Sequence, residues 1–176
     1  MGKSASGKNF MARKMISLGM KQIVIDITRA KRPGEKDGID YHFLSVEQFE
    51  KKVRNGKYLE YKRYVTVDGP VYYGTPASAF EEGDFIILTP SGVKDIAPIL
   101  EEKRIDYLTV LLTADKDLRI QRSLKRGDKV DEVLRRYDKD EIDFRRAEAA
   151  ITFNTTKWTD LEVTAAAESL KEMLVK

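Results

Sequence analysis

Cysteine is missing altogether from the 176 residues. Its absence excludes a disulfide-stapled scaffold and any thiolate chemistry, and it suits a cytoplasmic protein. Histidine occurs once, as His42, and by itself cannot build a metal site or a Ser-His-Asp triad. No apolar run approaches the roughly 20 residues that cross a bilayer, and no signal-peptide pattern is present. Repeats and low-complexity tracts are lacking too. What is there is balanced: 41% hydrophobic and 35% charged residues, with a net charge of +3. A chain of this length forms one domain with a proper core. The small positive excess favours anionic ligands and does not suggest a nucleic-acid-coating protein.

The first nine residues carry the clearest local pattern. Gly2, Lys3, Ser4, Ala5, Ser6, Gly7 and Lys8 read Gly-x-x-x-x-Gly-Lys, followed by Asn9 where Ser or Thr is usual. Glycines permit positive φ, so successive amides can turn inward as an anion nest, and the lysine adds charge beside it. A helix from Lys8 to about Leu18 presents its positive end to the same anion, with Phe10, Met11, Met15 and Ile16 inward and Gly19 as its stop.

Farther along, Gln22–Ile27 and Tyr41–Leu44 read as strands on either side of a charged loop, 29–38. Ser45-Val46-Glu47-Gln48 is a capping box that opens a helix to about Arg54. Tyr58–Val67 and Val71–Tyr73 read as strands joined by an Asp68-Gly69 turn. Phe85–Leu88 and Tyr107–Leu112 are continuous apolar strands of the kind a parallel sheet buries on both faces. Helices are expected after Thr89-Pro90-Ser91 to about Lys103, from Asp115 or Asp117 to Arg126, and over Asp131–Glu148. Ile151–Phe153 is a last short strand. A capping box at Thr159–Glu162 starts the final helix, with Leu161, Ala165, Leu170, Met173 and Leu174 as its apolar positions. Strands alternating with helices imply a parallel α/β sheet. The more polar stretch 26–76 reads as an inserted subdomain.

Three clusters can carry chemistry. Arg29 and Arg32 stand three apart in a loop stiffened by Pro33 and Gly34, so both guanidinium forks can reach one phosphate. Tyr41 can donate its hydroxyl there. Glu60 lies among Tyr58 and Tyr61, and Tyr72-Tyr73-Gly74-Thr75 adds hydroxyls. A carboxylate beside a phosphate cluster suits the N–H groups of a purine edge, and guanine offers a pair of them. The bland alternative is solvated loop arginines and tyrosines that fill a sheet. Arg119, Arg122, Lys125, Arg126, Arg135 and Arg136 form the densest basic patch. They fit either a cover that closes over phosphates or a solvated helix with i,i+4 ion pairs.

With these residues in view, the chain resembles the guanylate kinase family, P-loop nucleoside monophosphate kinases that phosphorylate GMP with ATP. The matching pieces are GKSASGK, TRAKRPGEKDGIDYHF, SVEQF, GKYLEY, VYYGT and RSLKRG followed by RRY, in family order across almost the whole chain. The resemblance implies an α/β fold: a P-loop NTPase-type parallel sheet flanked by helices. It places a core at 1–25, 77–115 and 149–176, an α+β GMP-binding subdomain at 26–76 and a helical lid at 116–148. It implies ATP with Mg²⁺ at Gly2, Ser4, Ala5, Ser6, Gly7, Lys8, Asn9 and Asn154, with Asn9 toward the metal. Arg29, Arg32, Tyr41 and Tyr73 take the acceptor phosphate, and Glu60 and Thr75 the base. Lys8, Arg122, Arg126 and Arg136 act as catalytic cations. The implied partners are small nucleotides, without nucleic acid or membrane, for a monomer or homodimer.

Departures accompany the likeness. The family's Asp-x-Asp is Ile87-Leu88-Thr89 here, and Asn9 offers an amide oxygen in place of a hydroxyl. No apolar strand precedes Gly2, so the first core strand is expected to be missing, with unpaired edges beside its place. Two other readings therefore stand: a nucleotide- or phosphoprotein-binding module with impaired catalysis, and a relative with a different acceptor nucleotide.

Overall fold

The strands divide between two sheets in a computed structural model that describes residues 1–81 and 83–174. The smaller sheet pairs β5 (Val110–Thr113) with β6 (Ile151–Asn154) in parallel, Val110 opposite Ile151 and Thr113 opposite Asn154. On the other side of β5, the backbone of Met1 and Gly2 continues the pairing. Leu112 N donates to Met1 O at 2.9 Å, and Gly2 bridges Leu112 in parallel. This pairing delivers the chain into the loop that precedes α1 (Lys8–Ser17).

Helix α1 packs against α6 (Asp160–Leu174) over one apolar core. Met11, Ala12 and Met15 are its buried positions, whereas Phe10 and Ile16, expected inward, are exposed. On α6 the buried residues are Val163, Ala166, Ala167 and Leu170, the i, i+3, i+4, i+7 spacing of one helix face. The expected face differs: Leu161 is 78% exposed, Ala165, Met173 and Leu174 are exposed too, and only Leu170 is shared. Four small or branched positions fit closely against α1, and they outweigh the larger but more widely scattered apolar side chains.

Two expected strands are shorter than their sequence suggests. Gln22–Ile27 contracts to β1 (Asp26–Ile27), with Gln22 making a single bridge to Phe85. Phe85–Leu88 is not buried on both faces; beyond that bridge it has no ladder partner among the described residues and stays half-buried. Tyr107 and Leu108 are exposed ahead of β5. A mostly apolar cavity of about 280 Å³ runs between these stretches, lined by Ile87, Leu88, Tyr107 and Val110. A strand needs a neighbour to satisfy its backbone, and hydrophobic sequence alone does not supply one. The parallel part of the fold is accordingly small.

The second sheet is mixed, in the order β2-β1-β4-β3. Strand β1 is parallel to β2 (His42–Phe43) and antiparallel to β4 (Gly69–Pro76), which forms a long hairpin with β3 (Tyr58–Thr66). The turn comes at Asp68-Gly69, where Gly69 has φ +109°. Helix α2 (Val46–Arg54) starts at the expected capping box: Ser45 accepts from Gln48 N, and the Gln48 side chain accepts from Ser45 N. It drives Phe49, fully buried, onto Tyr58 with ring centroids 4.6 Å apart. At Gly74 an added Cβ would lie 2.8 Å from Phe49 Cζ, so the missing side chain is what lets the helix sit this close.

Helix α3 (Pro90–Glu102) is capped by Thr89 and runs through Pro98. Helices α4 (Lys116–Lys125) and α5 (Val130–Asp143) form a pair joined through Gly127, with φ +87°. The long helix expected to Glu148 ends at Asp143. Arg119 fastens the pair, its Nη2 donating to Tyr137 Oη at 2.7 Å within a buried contact.

Candidate functional site

One cavity of about 440 Å³ lies between the Gly2–Asn9 loop, the mixed sheet and the α4–α5 pair. The loop enters it under two tight constraints. A Cβ at Gly2 would come within 2.4 Å of Ser6 Oγ and 2.6 Å of Leu112 O, so only glycine lets β5 and the loop touch. Gly7, at φ +96°, caps α1, and Ala5 also takes a positive φ. These conformations turn amides inward as a nest. One is already used by an anion: Ser4 N donates to Asp140 Oδ2 of α5 at 2.6 Å. Lys8 folds back on the loop and donates to Gly2 O at 2.6 Å and Lys3 O at 2.9 Å. Burial, with repulsion from Arg126, Arg119 and Arg136, lowers the Lys8 pKa to about 8 although Asp140 opposes the shift.

The second cluster is made of side chains. Arg29 forms a two-point pair with Glu35, both N–O distances 2.6 Å, and lies over the Tyr41 ring at 5.2 Å. Burial opposes its charge, but the Glu35 fork and nearby tyrosines overcome this and hold its pKa above the ordinary value. Arg32 is pushed the other way, by burial first and then by Arg136, Arg29 and Arg126. Burial also raises the Tyr41 pKa to about 12, with a contribution from Tyr73, whose ring centroid lies 6.5 Å away. Farther along the same face, Glu60 Oε1 accepts from the fully buried Thr75 hydroxyl at 2.6 Å. Burial lifts the Glu60 pKa, offset in part by that bond and by Lys62.

The α4–α5 pair supplies the remaining cations. Arg122 Nη1 donates to Ala5 O at 3.3 Å, tying α4 to the loop. Arg136 Nε donates to Glu132 at 2.6 Å, and Arg135 holds the same carboxylate through two bonds. Glu132 is consequently drawn down to about 2, its burial outweighed by these arginines.

Most of the residues singled out from the sequence therefore line a single cavity: Gly2, Ser4, Ala5, Gly7, Lys8 and Asn9 at one end, Arg29, Arg32, Tyr41, Tyr73 and Glu60 across from them, and Arg122, Arg126 and Arg136 over the top. Three do not. Ser6 is buried beneath the loop, where Thr155 Oγ1 donates to its carbonyl at 2.9 Å. Thr75 stands behind Glu60 as its hydrogen-bond donor. Asn154 is exposed, outside the cavity lining, and its side chain caps Thr156 N at 3.0 Å. The sequence reading missed Asp140, Glu132, Lys62 and Tyr64, which line the cavity as well. Alternate positions on β3 put Lys62 and Tyr64 on the Glu60 face, a signal that the hairpin register carried.

Residues 1–84 match the sequence family described as Guanylate kinase. A guanylate kinase of Symbiobacterium thermophilum is 42% identical over 83 residues, which cover 46% of this chain and 37% of that protein. One of Streptococcus pneumoniae is 40% identical over 84 residues, 46% of this chain and 38% of that protein. Each alignment thus spans well under half of the relative's length. Among solved structures, guanylate kinase from Anaplasma phagocytophilum superposes with a TM-score of 0.61 over 99% of this chain and 81% of that one, at 16% identity. That likeness shows a shared α/β fold.

Proposed function

We propose, for a chain whose residues 1–84 match the guanylate kinase family, that the cavity transfers the terminal phosphoryl group of ATP to GMP or dGMP. The observation that carries this reading is the order of groups along one cavity: an anion nest, a ring of guanidiniums, then a carboxylate braced by a hydroxyl. Phosphoryl transfer requires positioning and charge neutralisation more than covalent help from the protein. In this reading the loop amides and Lys8 hold the donor phosphates. Arg29, Arg32, Tyr41 and Tyr73 hold the acceptor phosphate, whose own oxygen is the nucleophile. Glu60 receives N–H groups of the base while Thr75 fixes its rotamer. Arg122, Arg126 and Arg136 gather round the transferring group and exclude water.

The nest suits a phosphate, because a carboxylate already occupies one of its amides. Mg²⁺ would come with the nucleotide and neutralise phosphate charge. On the protein side Asn9, in the cavity lining, would offer it an amide oxygen, and no cluster of three His, Cys, Asp or Glu side chains that could hold a metal exists among the described residues. Asp140 in the nest, with Lys8 turned back on its own loop, favours a second reading in which the chain binds nucleotide or phosphoprotein without turnover. Ile87 and Thr89 on the cavity wall, uncharged where the resemblance implies acid, favour a different acceptor base. An ADP-release assay with GMP, dGMP, AMP and UMP separates the three. Turnover with GMP and dGMP supports the proposal, turnover with another nucleotide reassigns the acceptor, and GMP binding without ADP release selects the module.

A further inference from the structure

Asp128 lies against three of the arginines that line the cavity, Arg32, Arg126 and Arg136, and none of the roles above uses it. It follows Gly127 in the α4–α5 connection, and its side chain is only 8% exposed. Its Oδ2 accepts from Arg126 Nη2 and, at 3.3 Å, from Arg136 Nη1. Its Oδ1 lies 3.7 Å from Arg32 Nε. A single carboxylate thus gathers guanidiniums from the 29–38 loop, the end of α4 and the middle of α5. Arg136 is steadied on its other side by Glu132, which also carries Arg135.

We propose that Asp128 is a positioning residue, which holds Arg32, Arg126 and Arg136 converged on one point before a phosphate arrives and yields that point when it does. The proposal rests on the functional reading above and adds a residue to it. Guanidiniums brought this close repel one another, and the lowered pKa of Arg32 reflects Arg136 and Arg126 after burial itself. Without a carboxylate among them they would splay into solvent. Four arginines (Arg32, Arg126, Arg135 and Arg136) against two carboxylates (Asp128 and Glu132) leave an excess of two positive charges, enough for one phosphate dianion. Cations held in place beforehand need no reorganisation during reaction. A mere loop anchor would need only Arg126, its neighbour two residues away, whereas Asp128 reaches across to Arg32 in the 29–38 loop.

The test is Asp128→Asn, which keeps the shape and removes the charge, alongside Asp128→Glu, which restores the charge. For Asp128→Asn, kcat should fall roughly tenfold, the low end for partners that orient a site's ligands. The KM for GMP should stay level or drop, because a competitor for the arginines is gone, and the KM for ATP should not move. Asp128→Glu should recover part of kcat. An unchanged kcat, a KM for GMP that rises alone, or equal losses in both variants with a lowered Tm overturns the proposal. Titration with inorganic phosphate, followed through arginine Nε resonances, keeps the two claims separable. In Asp128→Asn without phosphate, the Nε–H resonances of Arg32, Arg126 and Arg136 should move toward those of solvent-exposed arginines and be restored by saturating phosphate, which supports the positioning role even if no nucleotide is turned over; resonances unchanged from the wild type refute it even if kinase activity stands.

Discussion

At the Gly2–Asn9 end of the cavity the anion donors are backbone amides and one part-buried lysine. At the Arg29–Tyr73 end they are long side chains, and Arg29 and Arg32 both face carboxylates already. Both ends are internally compensated, yet by different means. Lys8 is compensated mainly by loop carbonyls, which lend it no full negative charge, and burial leaves its pKa near 8. Arg29 has Glu35 at two points, so its charge is secure at any physiological pH. A nest of amides is fixed by the fold and has one titratable weak point. An arginine cluster is insensitive to pH and depends on which carboxylates stand beside it.

That contrast can be broken in graded steps. The largest effect should come from Arg32→Ala. Loss of a charged partner in a part-buried site raises the KM for GMP about a hundredfold, while steady-state kinetics show little change in KM for ATP. Equal rises for both substrates would erase the distinction between the ends. The next test is pH. Lys8 is half deprotonated in the free protein near pH 8, and a bound phosphate favours its charged form. ATP affinity should therefore weaken above pH 8 by up to about tenfold per pH unit, with proton uptake visible by calorimetry in buffers of different ionisation enthalpy. GMP binding should show no such uptake over the same range.

Asp140→Asn should act more gently, and at the donor end, where Asp140 also pairs with Arg119 at 3.7 Å. Freeing the Ser4 amide from a carboxylate tightens ATP binding about fivefold, the scale of one net hydrogen bond, with GMP affinity unchanged by fluorescence titration. The smallest change should follow Ser45→Ala, which removes half of the α2 capping box. It should cost about 1 kcal/mol of stability, read as a modest drop in Tm, with both KM values preserved. A KM for GMP that moved as well would mean that α2 sets the acceptor site more directly than the packing of its Phe49 on Tyr58 suggests.

Much of this was legible from residue order, because local signals decided it. The capping box at Ser45, the turn at Asp68-Gly69 and the Gly2–Asn9 loop are all specified by near neighbours, and the structure has them where the sequence put them, whereas at Thr159 only the Glu162 half forms, its carboxylate accepting from Thr159 N and Oγ1. The failures lie where a distant partner decides. Phe85–Leu88 and Gln22–Ile25 are apolar enough for strands, but strand pairing is a property of what lies alongside. The inward face of α6 is set by small residues that fit α1 and not by hydrophobicity. In the cavity, the cations were evident from their spacing. The carboxylates that hold them, Asp128, Glu132 and Asp140, read as ordinary surface acids until α5 is folded across the loop. Asn154 shows the converse: the resemblance put it on the ATP side, and its side chain, at the end of β6, instead caps its own turn.

The central claim is that one cavity brings a donor and an acceptor phosphate together. It is tested most directly by following ATP, GMP and Mg²⁺ with the protein by ³¹P NMR. The account predicts that GDP and ADP resonances grow in equal amounts, and that Arg32→Ala slows both alike. ADP accumulating with inorganic phosphate and no GDP, or unchanged ATP at protein concentrations that bind GMP, would contradict it.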